Sequence, residues 1–192
     1  MPCALTMAKA RGCSGASAGV GNMKQTGFDP VYYLVFPASQ ILDAKQMLPE
    51  IMAKLKLDGY QPEVFSVSAA LNAWFKGHKM RSLWQDGLRR EGHSYEVFRR
   101  QFAQKLEKDR VLPEALGETL ATLSGVPHAL LLITDLEALH PFLHFSGVEQ
   151  QLVGKFSVPT VVLYPGIRGG AYSLRFLGIH QENGNYRSIH IG

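Results

Sequence analysis

The sequence predicts an α/β protein, a single three-layer domain with a mainly parallel sheet covered by helices and a C-terminal β-hairpin adding antiparallel edge strands. Three observations predict it. Four apolar runs of strand length alternate with stretches of helical period, the rhythm of parallel strands joined by crossover helices. Asn183-Gly184 then stands between two further strand-like runs, a strong hairpin signal. The 192 residues, 46% hydrophobic and 19% charged, suffice for one ordinary globular core without metal or disulfide staples.

Taken in order, residues 1–27 are rich in Gly, Ala and Ser without sustained period, and read as a poorly ordered arm. Residues 28–192 are expected to form the domain. Val31 to Phe36 is a continuous apolar and aromatic run closed by Pro37, the pattern of a strand buried on both faces. Ile41, Leu42, Met47, Leu48, Ile51, Met52 and Leu55 recur at helical spacing up to Asp58-Gly59, with Pro49 expected to kink or divide the helix. Residues 64–67 read as a second strand, and Leu71, Trp74 and Phe75 as the apolar side of the next helix.

Residues 76–125 form a helical basic insert. Its clearest helix spans 94–108, with Ser94 as N-cap, Tyr95, Phe98, Phe102 and Leu106 on one stripe, and Arg100, Gln104 and Glu107 opposite. A further helix is expected over 113–123, opened by Pro113 and stopped at Gly125. Ala129 to Thr134 reads as a central strand, with Asp135 capping the turn or helix after it; residues 141–153 read as a helix with proline in its first turn. Residues 160–164 are another buried strand, ended by Pro165-Gly166, and the runs 174–179 and 186–191 are the expected hairpin strands.

Charge and motif content narrow the function. The chain has 20 Lys and Arg against 16 Asp and Glu, and the excess is local: residues 76–110 hold ten basic and five acidic side chains. Arg89, Arg90, Arg99 and Arg100, interleaved with aromatics, are the candidate nucleic-acid contacts, although mixed acids and an inward aromatic stripe also describe a solvated helix face. The longest apolar run, 129–133, is far short of the roughly 18 to 20 residues of a membrane span, so no membrane contact is expected. Lys9 and Arg11 follow rather than precede the apolar run at 4–7, the reverse of a secretory signal. Two cysteines, Cys3 and Cys13, both in the arm, imply no disulfide framework and suit the reducing cytoplasm.

No cofactor, metal or catalytic residue is expected. The glycines 12, 15, 19 and 21 precede the first strand and lack the lysine of a phosphate loop. Asp135, ending an apolar strand, resembles the magnesium-holding acid of ATPases, but no phosphate loop accompanies it and a turn cap has the same appearance. His140 and His144 have metal-ligand spacing, but Pro141 lies between them and no third ligand stands at recognisable spacing.

In the last third, Tyr164, Pro165 and Gly166 closing a strand, then Leu174, Phe176 and Gly178, then Tyr186 and Arg187 opening the last strand, resemble the C-terminal signature of the BrxB family of BREX bacteriophage-defence systems. HALLLITDLEALHPFLHFSGVEQQL at 128–152 is similar to the family's apolar strand and its Pro-aromatic helix start at Pro141 and Phe142, and GVGN at 19–22 resembles its opening. The resemblance implies a cytoplasmic, non-catalytic adaptor within an assembly containing a DNA methyltransferase, a large ATPase and the alkaline-phosphatase-like protein PglZ, with PglZ the direct partner. Tyr164, Ile167, Arg168 and Tyr172, around Pro165 and Gly166, are the expected partner surface, because a strand's carboxyl end in a parallel sheet is where ligands and partners gather. Arg175 and Arg187 are expected as a neighbouring basic patch. The alternatives are a DNA- or RNA-contacting module using residues 76–110, and a hydrolase or nuclease with dispersed residues, for which Asp135 is the test position.

Overall fold

The computed structural model describes residues 29–89, 95–169, 173–179 and 189–191. The strands are β1 (Val31–Phe36), β2 (Gln61–Ser66), β3 (Ala129–Thr134), β4 (Thr160–Arg168), β5 (Leu174–Phe176) and β6 (Ile189–Ile191). The helices are α1 (Ile41–Leu57), α2 (Val67–Gly77), α3 (Arg81–Arg89), α4 (Tyr95–Lys108), α5 (Val111–Leu123) and α6 (Phe145–Gln150). The sheet runs β2-β3-β4-β1-β6 with every neighbouring pair parallel, while β5 pairs antiparallel with β4. This is the mainly parallel, helix-covered sheet that the alternating pattern predicts.

Side chains alternate across the sheet, so each strand feeds two cores. Tyr33, Phe65, Leu131, Ile133, Val162 and Tyr164 point into the larger one, against α2 to α6. Phe36, Leu132 and Leu163 point into the smaller one, against Ala44 and Ile51 of α1. The two faces differ in cover. Neighbouring strand residues on the α1 side, Leu34, Val64, Leu130 and Val161, are only partly buried, because one helix of about 10 Å diameter cannot roof a whole sheet.

The chain departs from its sequence pattern at several elements. β2 begins at Gln61, earlier than expected, and ends at Ser66; Pro62 is tolerated because β2 is an edge strand, and Val67 belongs to α2. α3 lies in the basic insert where the sequence suggests no separate helix. The residues expected to form one helix over 141–153 instead form α6, Phe145–Gln150, after a turn in which the Phe142 and Leu143 amides bond the Leu139 carbonyl at 2.7 and 3.0 Å. Among the described residues the expected hairpin strands do not pair with each other: β5 pairs with β4, and β6 joins the free edge of β1 in parallel. The Asn183-Gly184 turn and the Ser94 cap lie outside the described residues, as does the 1–27 arm.

Pro49 sits inside an undivided α1. Pro49 and Lys45 are both exposed, so the carbonyl that loses its amide donor lies on the solvent side and water can take the donor's place. Pro49→Ala is therefore expected to stabilise the fold by about 1–2 kcal/mol, the ~3 kcal/mol propensity difference less the freedom returned to the unfolded chain. Urea unfolding measures it; a lowered midpoint would show that the proline positions α1 against the sheet.

Candidate functional site

Parallel strands bring their carboxyl ends to one edge, and there β2 and β3 place Ser66 and Asp135 side by side. The Ser66 hydroxyl donates to Asp135 Oδ2 at 2.5 Å and also accepts from the Ala69 amide at 3.1 Å, capping α2. Thr134 Oγ1 donates to the same carboxylate oxygen at 3.2 Å. From α1, Lys45 Nζ reaches Asp135 Oδ1 at 2.8 Å and Glu137 Oε1 at 2.5 Å. Asp135 adopts a left-handed backbone, φ 61°, a conformation that Asp tolerates better than most residues.

One ammonium is shared by two carboxylates in the cluster. Burial pushes the Asp135 carboxyl up, but the hydrogen bonds from Lys45 and Ser66 outweigh it and hold the group below the usual carboxylate range. Hydrogen bonds to Asp135 and Glu137 correspondingly raise the Lys45 ammonium above its ordinary value. An acid at this edge of a sheet is placed to hold a cation, and here the lysine's own ammonium bridges the two carboxylates. The arrangement ties α1, the α-helix that packs on the smaller core, to the carboxyl end of β3. Sequence reading singles out Asp135 but misses Lys45 and Ser66, whose partners are far away in the chain.

The expected partner surface divides. Tyr164, Pro165 and Gly166 are buried, since β4 continues through them to Arg168 instead of ending at Tyr164. The Tyr164 ring packs edge-on to Tyr33 at 5.5 Å and against Phe176 at 5.4 Å, an inward role and not a contact surface. Pro165 is accommodated where the β1 ladder ends, opposite Phe36, and the β5 ladder begins at Gly166. Ile167, 46% exposed, and Arg168 face outward, and Arg175 is half-buried beside them in β5. Tyr172 and Arg187 lie outside the described residues.

Of the basic candidates, Arg89 and Arg100 are exposed, and Arg90 lies outside the described residues. Arg99 is spent on Glu96, 2.9 Å away, and on the Pro141 carbonyl at 3.4 Å. The aromatic stripe of α4 turns inward as expected: Phe102 packs on Trp84 at 5.3 Å and Phe142 at 4.7 Å, although Tyr95 is left half exposed. His140 precedes α6 and His144 stands at its start, so the pair does not share a helix face. Among the described residues, no group of three or more His, Cys, Asp or Glu side chains could hold a metal ion. A cleft of about 490 Å³ runs between α4, α5 and α6, lined by Leu106, Glu107, Pro113, Phe142, His144 and Gln151 among others. No described helix is long and apolar enough to cross a membrane.

Fold and cluster together define a three-layer α/β protein in which a lysine and two carboxylates fill the customary ligand edge. Neither protein-family models, nor curated proteins, nor solved structures match the chain.

Proposed function

We propose that this chain is a non-catalytic adaptor of a cytoplasmic BREX phage-defence assembly and that it binds a PglZ-like protein. The resemblance of its last third to the BrxB signature supports the family. The observation that carries the adaptor role is the Lys45 bridge: the acid best placed for chemistry is engaged by Lys45, Ser66 and Thr134, so its charge serves the fold. The outside then becomes the working surface, and Ile167 with Arg168 offers the apolar and arginine character enriched at interfaces.

A tagged chain expressed with the whole defence system is expected to co-purify with the PglZ-like protein. Ile167→Asp combined with Arg168→Glu is expected to cut recovery about tenfold, the effect of losing one good interface residue. Retention of no BREX component by the unaltered chain overturns the proposal. The second reading, contact with DNA or RNA through residues 76–110, draws on the exposure of Arg89 and Arg100. It requires binding that weakens steeply with added salt and that Arg89→Ala with Arg100→Ala reduces.

A further inference from the structure

A second cleft, about 280 Å³, lies between α3 and α4, and its two walls differ in chemistry. On the α4 side Gln101, Gln104, Lys105 and Lys108 fall at i, i+3, i+4 and i+7, a single polar stripe. Lys105 is held by Asp109 at 2.8 Å, whereas Gln101, Gln104 and Lys108 make no hydrogen bond or ion pair among the described residues. The opposite wall is apolar, made by Met80 and Trp84. The Trp84 amide bonds the Met80 carbonyl at 3.0 Å, so Met80 is already in helical register, and Leu83, three residues on, is its neighbour along the helix. Leu83 does not line the cleft but stands 63% exposed beside it on α3.

Trp84 adds a second observation. Its ring is 5% exposed and stacks on His78 at 4.7 Å and Phe75 at 6.0 Å, yet its Nε1 is buried without a hydrogen-bond partner. Buried donors of this kind are uncommon because each forfeits the water it once bound. Nearby, Lys76, Lys79 and Arg81 are exposed and without an acidic partner among the described residues. The cleft thus combines an apolar wall with a lysine, Lys108, that no described acid neutralises, and further unpaired cations flank Met80 in the chain.

We propose that this cleft is a docking groove for an acidic amphipathic segment of a partner protein, with carboxylates toward Lys108 and the two glutamines and an apolar side chain against Met80 and Trp84, beside the exposed Leu83. The proposal rests on the adaptor reading and names the chemistry of what is bound. Charge complementarity selects an acidic partner, and the apolar wall of Met80 and Trp84 selects a peptide over a nucleic acid, whose phosphates have no use for it.

The test uses the full chain and three fluorescently labelled probes: a Glu-rich peptide with Leu at every third or fourth position, the same peptide with Ser for Leu, and a duplex DNA. By anisotropy at low salt, the Glu/Leu peptide is expected to bind, and the Glu/Ser peptide about tenfold more weakly. Leu83→Asp and Lys108→Glu, both at exposed positions, are each expected to weaken the Glu/Leu peptide about tenfold. The Trp84 indole N–H resonance is expected to shift on titration. Failure of the Glu/Leu peptide to bind, tighter binding of DNA, or indifference to both substitutions overturns the groove. In the co-purification experiment, a PglZ-like protein retained by both variants removes the groove and leaves the adaptor role standing. A partner absent even with the unaltered chain removes the adaptor role itself.

Discussion

Gly166→Ala is expected to destabilise the protein by about 3 kcal/mol, the upper end of what overpacking costs. A Cβ at this position would stand 2.5 Å from the Arg175 carbonyl oxygen and 2.7 Å from Tyr164 Cε1. The first obstacle is backbone in the β4–β5 ladder, where Ile167 pairs with Arg175 and Gly166 with Phe176. The second is a ring at 1% exposure, held by Tyr33 and Phe176. Neither is the free end of a flexible side chain, so the strand pair must part or Tyr164 must leave its place. The urea midpoint and the near-ultraviolet dichroism of the tyrosines report the two outcomes. Tyr164→Leu in the Gly166→Ala background should recover part of the loss if the ring is the main obstacle. An unaltered midpoint for the single variant would mean that β5 is not held against β4 in solution.

That close approach explains why the sequence misleads at Pro165-Gly166. The dipeptide has the composition of a turn, and a local reading stops the strand there. What keeps it extended is β5 laid alongside, a partner that closeness in the chain does not reveal. The same limit governs the C-terminus. The local pattern leads 186–191 to be read as a hairpin strand, whereas the described residues 189–191 lie in a parallel ladder on the edge of β1, with Tyr32 opposite Ile189 and Leu34 opposite Ile191. β1 and β3 are legible because both faces of each pack against a core, fully or in part, so nearly every residue is apolar and the run stands out. α3 was not: it is short, carries Gly87, and turns a single buried side chain, Trp84, inward from a charged stretch. Of the candidate sites, Asp135 could be found from its place after ALLLIT, whereas Lys45 is one of several surface-like lysines until the fold brings α1 over β3.

Removing the Asp135 carboxylate is expected to cost about 3 kcal/mol at pH 7 and little at strongly acid pH. Hydrogen bonds to a charged group contribute about 1.5–3 kcal/mol net, and Ala in a left-handed conformation adds about 1. The side chain is 16% exposed, so solvent screens only part of this. Its pKa is lowered in the folded state, so below the unfolded value of about 3.9 the unfolded chain binds the proton more readily. The contribution is therefore complete above that value and disappears as pH falls through the folded pKa. Wild type and Asp135→Ala should differ most at neutral pH and converge on acidification to the residual left-handed backbone penalty. Asp135→Asn separates the two causes, since Asn tolerates φ 61° but carries no charge: it should be less destabilised than Ala at pH 7 and converge fully with wild type in acid. Urea titrations of the three proteins from pH 7 to pH 2 measure this, with Lys45→Met as a fourth that should lose most of the pH dependence specific to Asp135. A gap between wild type and Asp135→Asn that stays constant across the range would mean that the carboxylate is not engaged by Lys45 and Ser66, and the acid would again be free for chemistry.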